Sequence, residues 1–183
     1  MYNPSDFNSD LVDKSLWNSY KKHTVSDYEL IKEYGRTITQ KDYKYKEYVV
    51  DFFFASCTTI CPIMTNNMAK IQDEFKNNDE ILLLSLSVTP DLDNVSVLRQ
   101  YANEKRVVDS KWNITTGNKK HIYELARKSY FAVVEQGDGD LQDFIHTPNF
   151  ILVDKKKQIR GIYDGTAQKE ILRLIDDMNI LLH

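Results

Sequence analysis

Two nearly continuous apolar runs dominate the pattern of hydrophobic and polar positions along the chain. They are YVVDFFFAS, residues 48–56, and EILLLSLSV, residues 80–88. Both are short and rich in branched or aromatic side chains, which is typical of strands buried on both faces of a parallel sheet. From Pro62 onward, the residues between them place apolar side chains at helical spacing. A βαβ unit with a right-handed crossover is therefore predicted.

Weaker patterns predict the remaining elements. YELI and RTIT alternate on either side of Gly35, which indicates a β-hairpin before the central strands. NFILVDKK and QIRGIYDG are predicted to form an antiparallel strand pair. Further helices are predicted over DNVSVLRQYANEKRV (with Asp91 or Asp93 as N-cap), NKKHIYELARKSY and QKEILRLIDDMNILL. The expected fold class is α/β, with a mixed central β-sheet flanked by helices and an N-terminal β-hairpin extension.

Length and composition fit one globular domain. Residues 1–26 are polar and weakly patterned, so we expect an N-terminal segment or linker followed by a single domain over 27–183. The formal net charge of -3 gives no basic face for a nucleic-acid partner. No apolar run approaches the roughly 20 residues that a transmembrane helix needs. The first residues also lack the basic and apolar regions of a signal peptide.

The chain has only two cysteines, and they lie at the predicted junction of a strand and a helix. Cys57 follows the first buried strand, and Cys61 directly precedes Pro62. A helix N-terminus favours anions and lowers the pKa of a thiol there. Such thiolates can attack a disulfide, close into one, or bind a soft metal such as Cu(I). A pair of inert, buried cysteines is the simpler alternative.

Two other residues are candidates for the same chemistry. Asp51 lies in the central strand, six residues before Cys57, and is either a proton acceptor beneath the thiols or a structural carboxylate paired with a lysine. His146 lies two residues before Pro148 and the next predicted strand. A histidine alone is a weak signal, although thiolate together with imidazole suits Cu(II) or Zn(II).

The stretch VVDFFFASCTTICP resembles the strand-to-helix junction of the thioredoxin superfamily, in which an aspartate also precedes the first active cysteine by six residues. Thr147-Pro148 resembles the pair with a cis-proline that faces those cysteines. The C-x3-C-P spacing, the distant His146 and the segment GIYDGT are together similar to the Sco/SenC family. Thr89 before Pro90, Ile145 before His146, and TTI between the cysteines depart from residues common in that family.

The resemblance implies a copper-binding metallochaperone rather than an enzyme. Cys57, Cys61 and His146 would bind one copper ion, Cu(I) or Cu(II), for delivery to the dinuclear copper site of cytochrome c oxidase. The partner would be the copper-bearing subunit of the oxidase or another copper or thiol protein. The resemblance also implies a monomer on the periplasmic or outer face of the cytoplasmic membrane, anchored through an N-terminal tether that this sequence does not contain.

A thiol-disulfide oxidoreductase is the alternative function. Cys57 would attack a partner's disulfide, Cys61 would resolve the mixed disulfide, and Asp51 would accept the proton of the resolving thiol. Thr58-x-x-Cys61 also matches a fragment of the peroxiredoxin motif, but two cysteines so close together are unlike that site. The residues alone leave copper transfer and thiol reduction open, because the same two thiols serve both.

Overall fold

A computed structural model describes residues 23–133 and 143–182. One mixed sheet of seven strands runs in the order β2-β1-β5-β4-β3-β6-β7. The strands are β1 (Glu29–Lys32), β2 (Thr37–Thr39), β3 (Glu47–Phe53), β4 (Ile81–Ser87), β5 (Trp112–Thr116), β6 (Asn149–Val153) and β7 (Ile159–Asp164). The α-helices are α1 (Cys61–Glu74), α2 (Val95–Glu104), α3 (Lys119–Glu124) and α4 (Gln168–Leu182). A short π-helix covers Leu125–Ser129, and a short 3-10 helix covers Gln40–Tyr43.

The central strands pair as the apolar runs predict. β3 and β4 are parallel and joined through α1, so the predicted βαβ unit is confirmed. The predicted hairpins are also confirmed, since β1 pairs antiparallel with β2 and β6 pairs antiparallel with β7. β6 pairs antiparallel with β3 along the edge opposite β4, and β7 follows β6 at the end of the sheet.

The sequence interpretation missed strand β5. All five residues of WNITT are buried, and the strand pairs in parallel with β4 and antiparallel with β1. It has no long apolar run, because asparagine and threonine occupy three of its five positions. Its burial comes from neighbouring strands that a local pattern does not reveal. β5 is nonetheless the strand that joins the N-terminal hairpin to the sheet.

Alternation along β3 divides the core between the two faces of the sheet. Tyr48, Val50 and Phe52 belong to one buried cluster, which also contains the buried side chains of α3. Val49 and Phe53 belong to the other cluster, together with both cysteines and the buried side chains of α1, α2 and α4. Because side chains two apart on a strand share a face, Asp51 lies on the cysteine side.

Two local predictions were wrong. The N-cap of α2 is Asn94, whose side chain accepts a hydrogen bond from the amide of Val97, and not Asp91 or Asp93. The described residues contain no cis peptide bond, so the bond before Pro148 is trans, unlike that of the thioredoxin pair. The Thr147 hydroxyl donates to Ala132 O at 2.8 Å just before β6 begins. The proposed linker of residues 1–26 stays a prediction, since residues 1–22 lie outside the described part.

Candidate thiol and metal site

A tight turn connects the central strand to the cysteines. β3 ends at Phe53, and the amide of Cys57 donates to the carbonyl of Phe54 at 3.1 Å. Cys61 is the first residue of α1, followed by Pro62, which lacks the N–H that would be unpaired in a first helical turn. The amide of Met64 donates to Ile60 O at 3.0 Å and closes that turn. The predicted position of both thiols at a strand–helix junction is therefore confirmed.

The two thiols are free but differ in their surroundings. Cys57 is 9% exposed and Cys61 is 3% exposed, so Cys57 is the more accessible of the two. Burial opposes ionisation of Cys57, yet hydrogen bonds from Cys61 and Thr59 outweigh it and lower its pKa to about 6. Burial and donation of its proton to Cys57 raise the pKa of Cys61 to about 12. Near neutral pH the pair therefore holds one thiolate and one thiol.

Asp51 lies beneath this turn, fully buried in β3. Burial raises the pKa of Asp51 to about 7, although a hydrogen bond donated by the Ser85 hydroxyl acts in the opposite direction. Trp112 Nε1 in turn donates to the Ser85 oxygen at 2.8 Å. The partner is therefore a serine of the neighbouring strand, and the alternative of a lysine pair is wrong. Among several causes, the charge of Asp51 contributes to the raised pKa of Cys61.

Asp93 anchors the segment that precedes the cysteines, a role that the sequence interpretation missed. Its Oδ2 accepts hydrogen bonds from the amide of Ala55 at 3.1 Å, the Ser87 hydroxyl at 2.5 Å and the Thr89 hydroxyl at 3.0 Å. These bonds fix the end of β4 to the turn after β3. No sequence signal distinguishes Asp93 from an N-cap, because its bond to Ala55 joins residues 38 positions apart in the chain.

A cleft of about 320 Å³ opens beside the same turn. It is lined by Ala55, Ser56, Leu92, Asp93, Val97, Gln100, Tyr101 and Glu104. The hydroxyl of Tyr101, one of these residues, shares a hydrogen bond with the Thr65 hydroxyl at 2.6 Å. Met64 and Met68 are fully buried in the same core cluster as the two cysteines.

His146 lies on the segment that enters β6, and it is exposed. Its ring centroid is 6.2 Å from that of Phe54 and 6.3 Å from that of Phe144, with Phe54 and Phe144 themselves 5.3 Å apart. The His146 ring therefore lies against Phe54, whose carbonyl accepts the hydrogen bond from the Cys57 amide. Within residues 23–133 and 143–182, no three His, Cys, Asp or Glu side chains lie close enough together to hold a metal ion.

The fold and the paired cysteines define a thioredoxin-like protein with two thiols at the end of a central strand. The chain belongs to the SCO1/SenC family, whose family model matches residues 18–179. The SCO1 protein homolog of Bacillus subtilis is 30% identical over 146 residues, which cover 79% of this chain and 75% of that protein.

Solved structures agree with this assignment. A SCO1/SenC family lipoprotein from Bacillus anthracis has a TM-score of 0.77 at 29% identity, covering 88% of this chain and 96% of that one. BsSco, described as having a disulfide switch and as a member of the Sco family of cytochrome c oxidase assembly proteins, has a TM-score of 0.73 at 28% identity over 86% and 92%. Arabidopsis thaliana ScoI with copper bound shares the fold, with a TM-score of 0.68 at 23% identity over 87% and 98%.

Proposed function

We propose that this chain binds one copper ion as cargo through Cys57, Cys61 and His146 and delivers it to the dinuclear copper site of cytochrome c oxidase. The observation that carries the proposal is the pair of free thiols, one of low pKa, at the start of α1. Thiolate sulfur selects Cu(I), and an added imidazole extends the set to Cu(II). Membership of the family that includes BsSco and the copper-bound ScoI supports the cargo.

Each residue has a distinct part in this proposal. Cys57 is ionised near neutral pH and is the first donor that an incoming ion meets. Cys61 is protonated until the ion displaces its proton, and Asp51 is the nearby carboxylate whose raised pKa suits it to accept that proton. His146 comes from a separate element, so one donor can be released while the two sulfurs remain bound. Such a site can hold copper and also release it.

The proposed location is the outer or periplasmic face of a membrane, with the protein anchored and acting as a monomer on the copper-bearing subunit. Within the part of the chain that the structure describes, no helix is both long enough and apolar enough to cross a bilayer. Support for an anchor comes from the similarity to a lipoprotein of the same family.

Anaerobic titration of the fully reduced protein with Cu(I) and Cu(II) tests the proposal. We expect one equivalent to bind, with a thiolate-to-Cu(II) charge-transfer band that Cys57→Ser, Cys61→Ser and His146→Ala each abolish or displace. His121→Ala, on α3, is the matched control and should leave both stoichiometry and band unchanged. Binding that is indifferent to His146 would contradict the three-ligand site.

The unequal thiols also favour a second candidate, a thiol-disulfide oxidoreductase. The Cys57 thiolate would attack a partner's disulfide and release one partner thiolate, which takes up a proton. Cys61 would lose its proton to Asp51 and attack the Cys57 sulfur, which releases the second partner thiol. The chain is thereby oxidised to a Cys57–Cys61 disulfide, and the partner gains two electrons and two protons. Reduction of a peptide disulfide that survives His146→Ala, with a mixed disulfide trapped by Cys61→Ser, would favour this function.

A further inference from the structure

The segment that carries His146 is fixed to the fold at several points, although the histidine itself is exposed. Ile145 is 1% exposed and Thr147 is 4% exposed, on either side of the histidine. The Thr147 hydroxyl and the Asn149 side-chain amide both donate to Ala132 O at 2.8 Å. The backbone at position 146 is therefore held on its C-terminal side by direct bonds to Ala132, three residues beyond the Leu125–Ser129 element.

On its N-terminal side the segment is held by an ion pair. Arg127 Nη1 and Nη2 donate to the two carboxylate oxygens of Asp143 at 2.6 and 2.7 Å. Both side chains are 10% exposed, so little solvent screens the pair. The guanidinium carbon also lies 5.5 Å from the centroid of the buried Tyr123 ring, which fixes its orientation. A bidentate pair constrains direction as well as distance.

Arg127 itself lies in unusual backbone. It belongs to the short π-helix Leu125–Ser129. Such π-helical turns are rare overall, and those that occur are often found at functional sites. The buried residue Phe131, just beyond this π-helix, has a φ of +52°, a backbone conformation that is unfavourable for a residue other than glycine. Both features lie in the short stretch 125–131 that carries Arg127.

We propose that Arg127 and Asp143 are positioning residues for His146. The pair fixes the backbone that presents the imidazole beside Phe54 and the Cys57 turn, so that copper binding orders a side chain rather than a whole loop. This inference rests on the proposed function, because it assumes that His146 is a ligand. Residues 134–142, which precede Asp143, lie outside the described part.

A double-mutant cycle on copper binding separates this role from a general effect on folding. Arg127→Gln should lower Cu(II) affinity by about tenfold and displace the thiolate-to-Cu(II) band, a loss at the lower end of that seen for residues that orient metal ligands. In the His146→Ala background the same substitution should have no further effect. Arg127→Lys keeps the charge but loses the bidentate geometry, so its affinity should be intermediate.

Arg160→Gln is the matched control. Its pair with Asp154 is also partly buried, but it lies at the opposite end of β6 from His146. We expect this substitution to leave copper affinity and the band unchanged. If Arg127→Gln costs the same affinity with His146 present as in the His146→Ala background, the inference is overturned and the three-ligand site remains intact. An unaltered affinity in His146→Ala alone would instead refute the proposed function, and the inference with it.

A measurement on metal-free protein provides an independent test. Asp143→Asn should lower the backbone ¹⁵N order parameters of Phe144, Ile145 and His146, from the value of about 0.85 of rigid backbone towards about 0.6. The amides of β7 should stay unchanged. Order parameters at these three residues that match those of the unsubstituted protein would overturn the proposal, because the pair would then fix nothing that its neighbours do not already fix.

Discussion

Replacement of Asp51 by asparagine should stabilise the protein at neutral and alkaline pH and leave it nearly unchanged at pH 4. Burial raises the pKa of Asp51 from an ordinary value of 3.8 to about 7. Well below pH 4 the carboxyl is protonated in both the folded and the unfolded chain and costs the folded state nothing, and at pH 4 the cost is still small because the unfolded chain has only begun to ionise. As the pH rises from 4 to 7, only the unfolded chain releases the proton, and stability falls.

The magnitude follows from that difference in pKa. One pKa unit corresponds to about 1.4 kcal/mol, so the cost grows to roughly 4 kcal/mol above pH 7 and is constant thereafter. Asparagine has almost the same shape as a protonated aspartate, and its amide oxygen can accept the hydrogen bond that Ser85 donates. The substitution therefore removes the cost of ionisation without removing a buried hydrogen-bond acceptor.

Urea unfolding of both proteins, kept fully reduced and followed by tryptophan fluorescence at pH 4, 5, 6, 7 and 8.5, measures this difference. The advantage of the asparagine variant should rise with pH and level off above about 7. Contributions from Cys57 are shared by both proteins and cancel to first order. Ser85→Ala removes the hydrogen bond that favours the carboxylate, so the rise should extend to higher pH. A difference that is constant from pH 4 to 8.5 would refute the reasoning.

Two further predictions concern the thiols and the core behind them. The reduced protein is alkylated briefly with iodoacetamide at pH 7, and the labelled cysteines are identified by peptide mass spectrometry. Cys57 should be labelled at least about 100-fold faster than Cys61, because only Cys57 is largely ionised. Equal labelling would contradict the assigned order of the two pKa values. Met68→Ala should lower the free energy of unfolding, measured by urea titration, by about 2–5 kcal/mol because Met68 is fully buried. Ile63→Ala is the control: its side chain is 48% exposed, so the free energy of unfolding should change by about 0.5 kcal/mol or less.

The sequence predicts the cysteine turn well because its signals are local. A run of apolar residues gives β3, and Pro62 after Cys61 gives the start of α1. Asp51 is placed on the cysteine face by the alternation of the strand. Its partner, Ser85, depends on the register between β3 and β4, and that register comes from side-chain packing between strands rather than from either strand alone.

Features that join distant parts of the chain could not be predicted in this way. Asp93 looks like an N-cap in sequence, but its Oδ2 accepts a hydrogen bond from the amide of Ala55, 38 positions away, as well as from two hydroxyls near the end of β4. Arg127 and Asp143 are two of many charged residues until the fold places them together. β5 is a strand only because β1 and β4 flank it. Each case depends on long-range contacts that periodicity does not encode.

The two proposed activities differ in what they require of His146, and this difference makes the histidine the informative residue. Thiol exchange needs only the Cys57 thiolate, the Cys61 thiol and a proton acceptor, all of which lie at one strand–helix junction. The proposed copper site also needs His146, on the segment before β6. Hydrogen bonds and an ion pair hold the backbone on either side of this residue, while its imidazole is exposed. Thiol exchange makes no use of that ring. In the proposed copper site, a ring on backbone held in this way would engage and release the ion without reordering its loop.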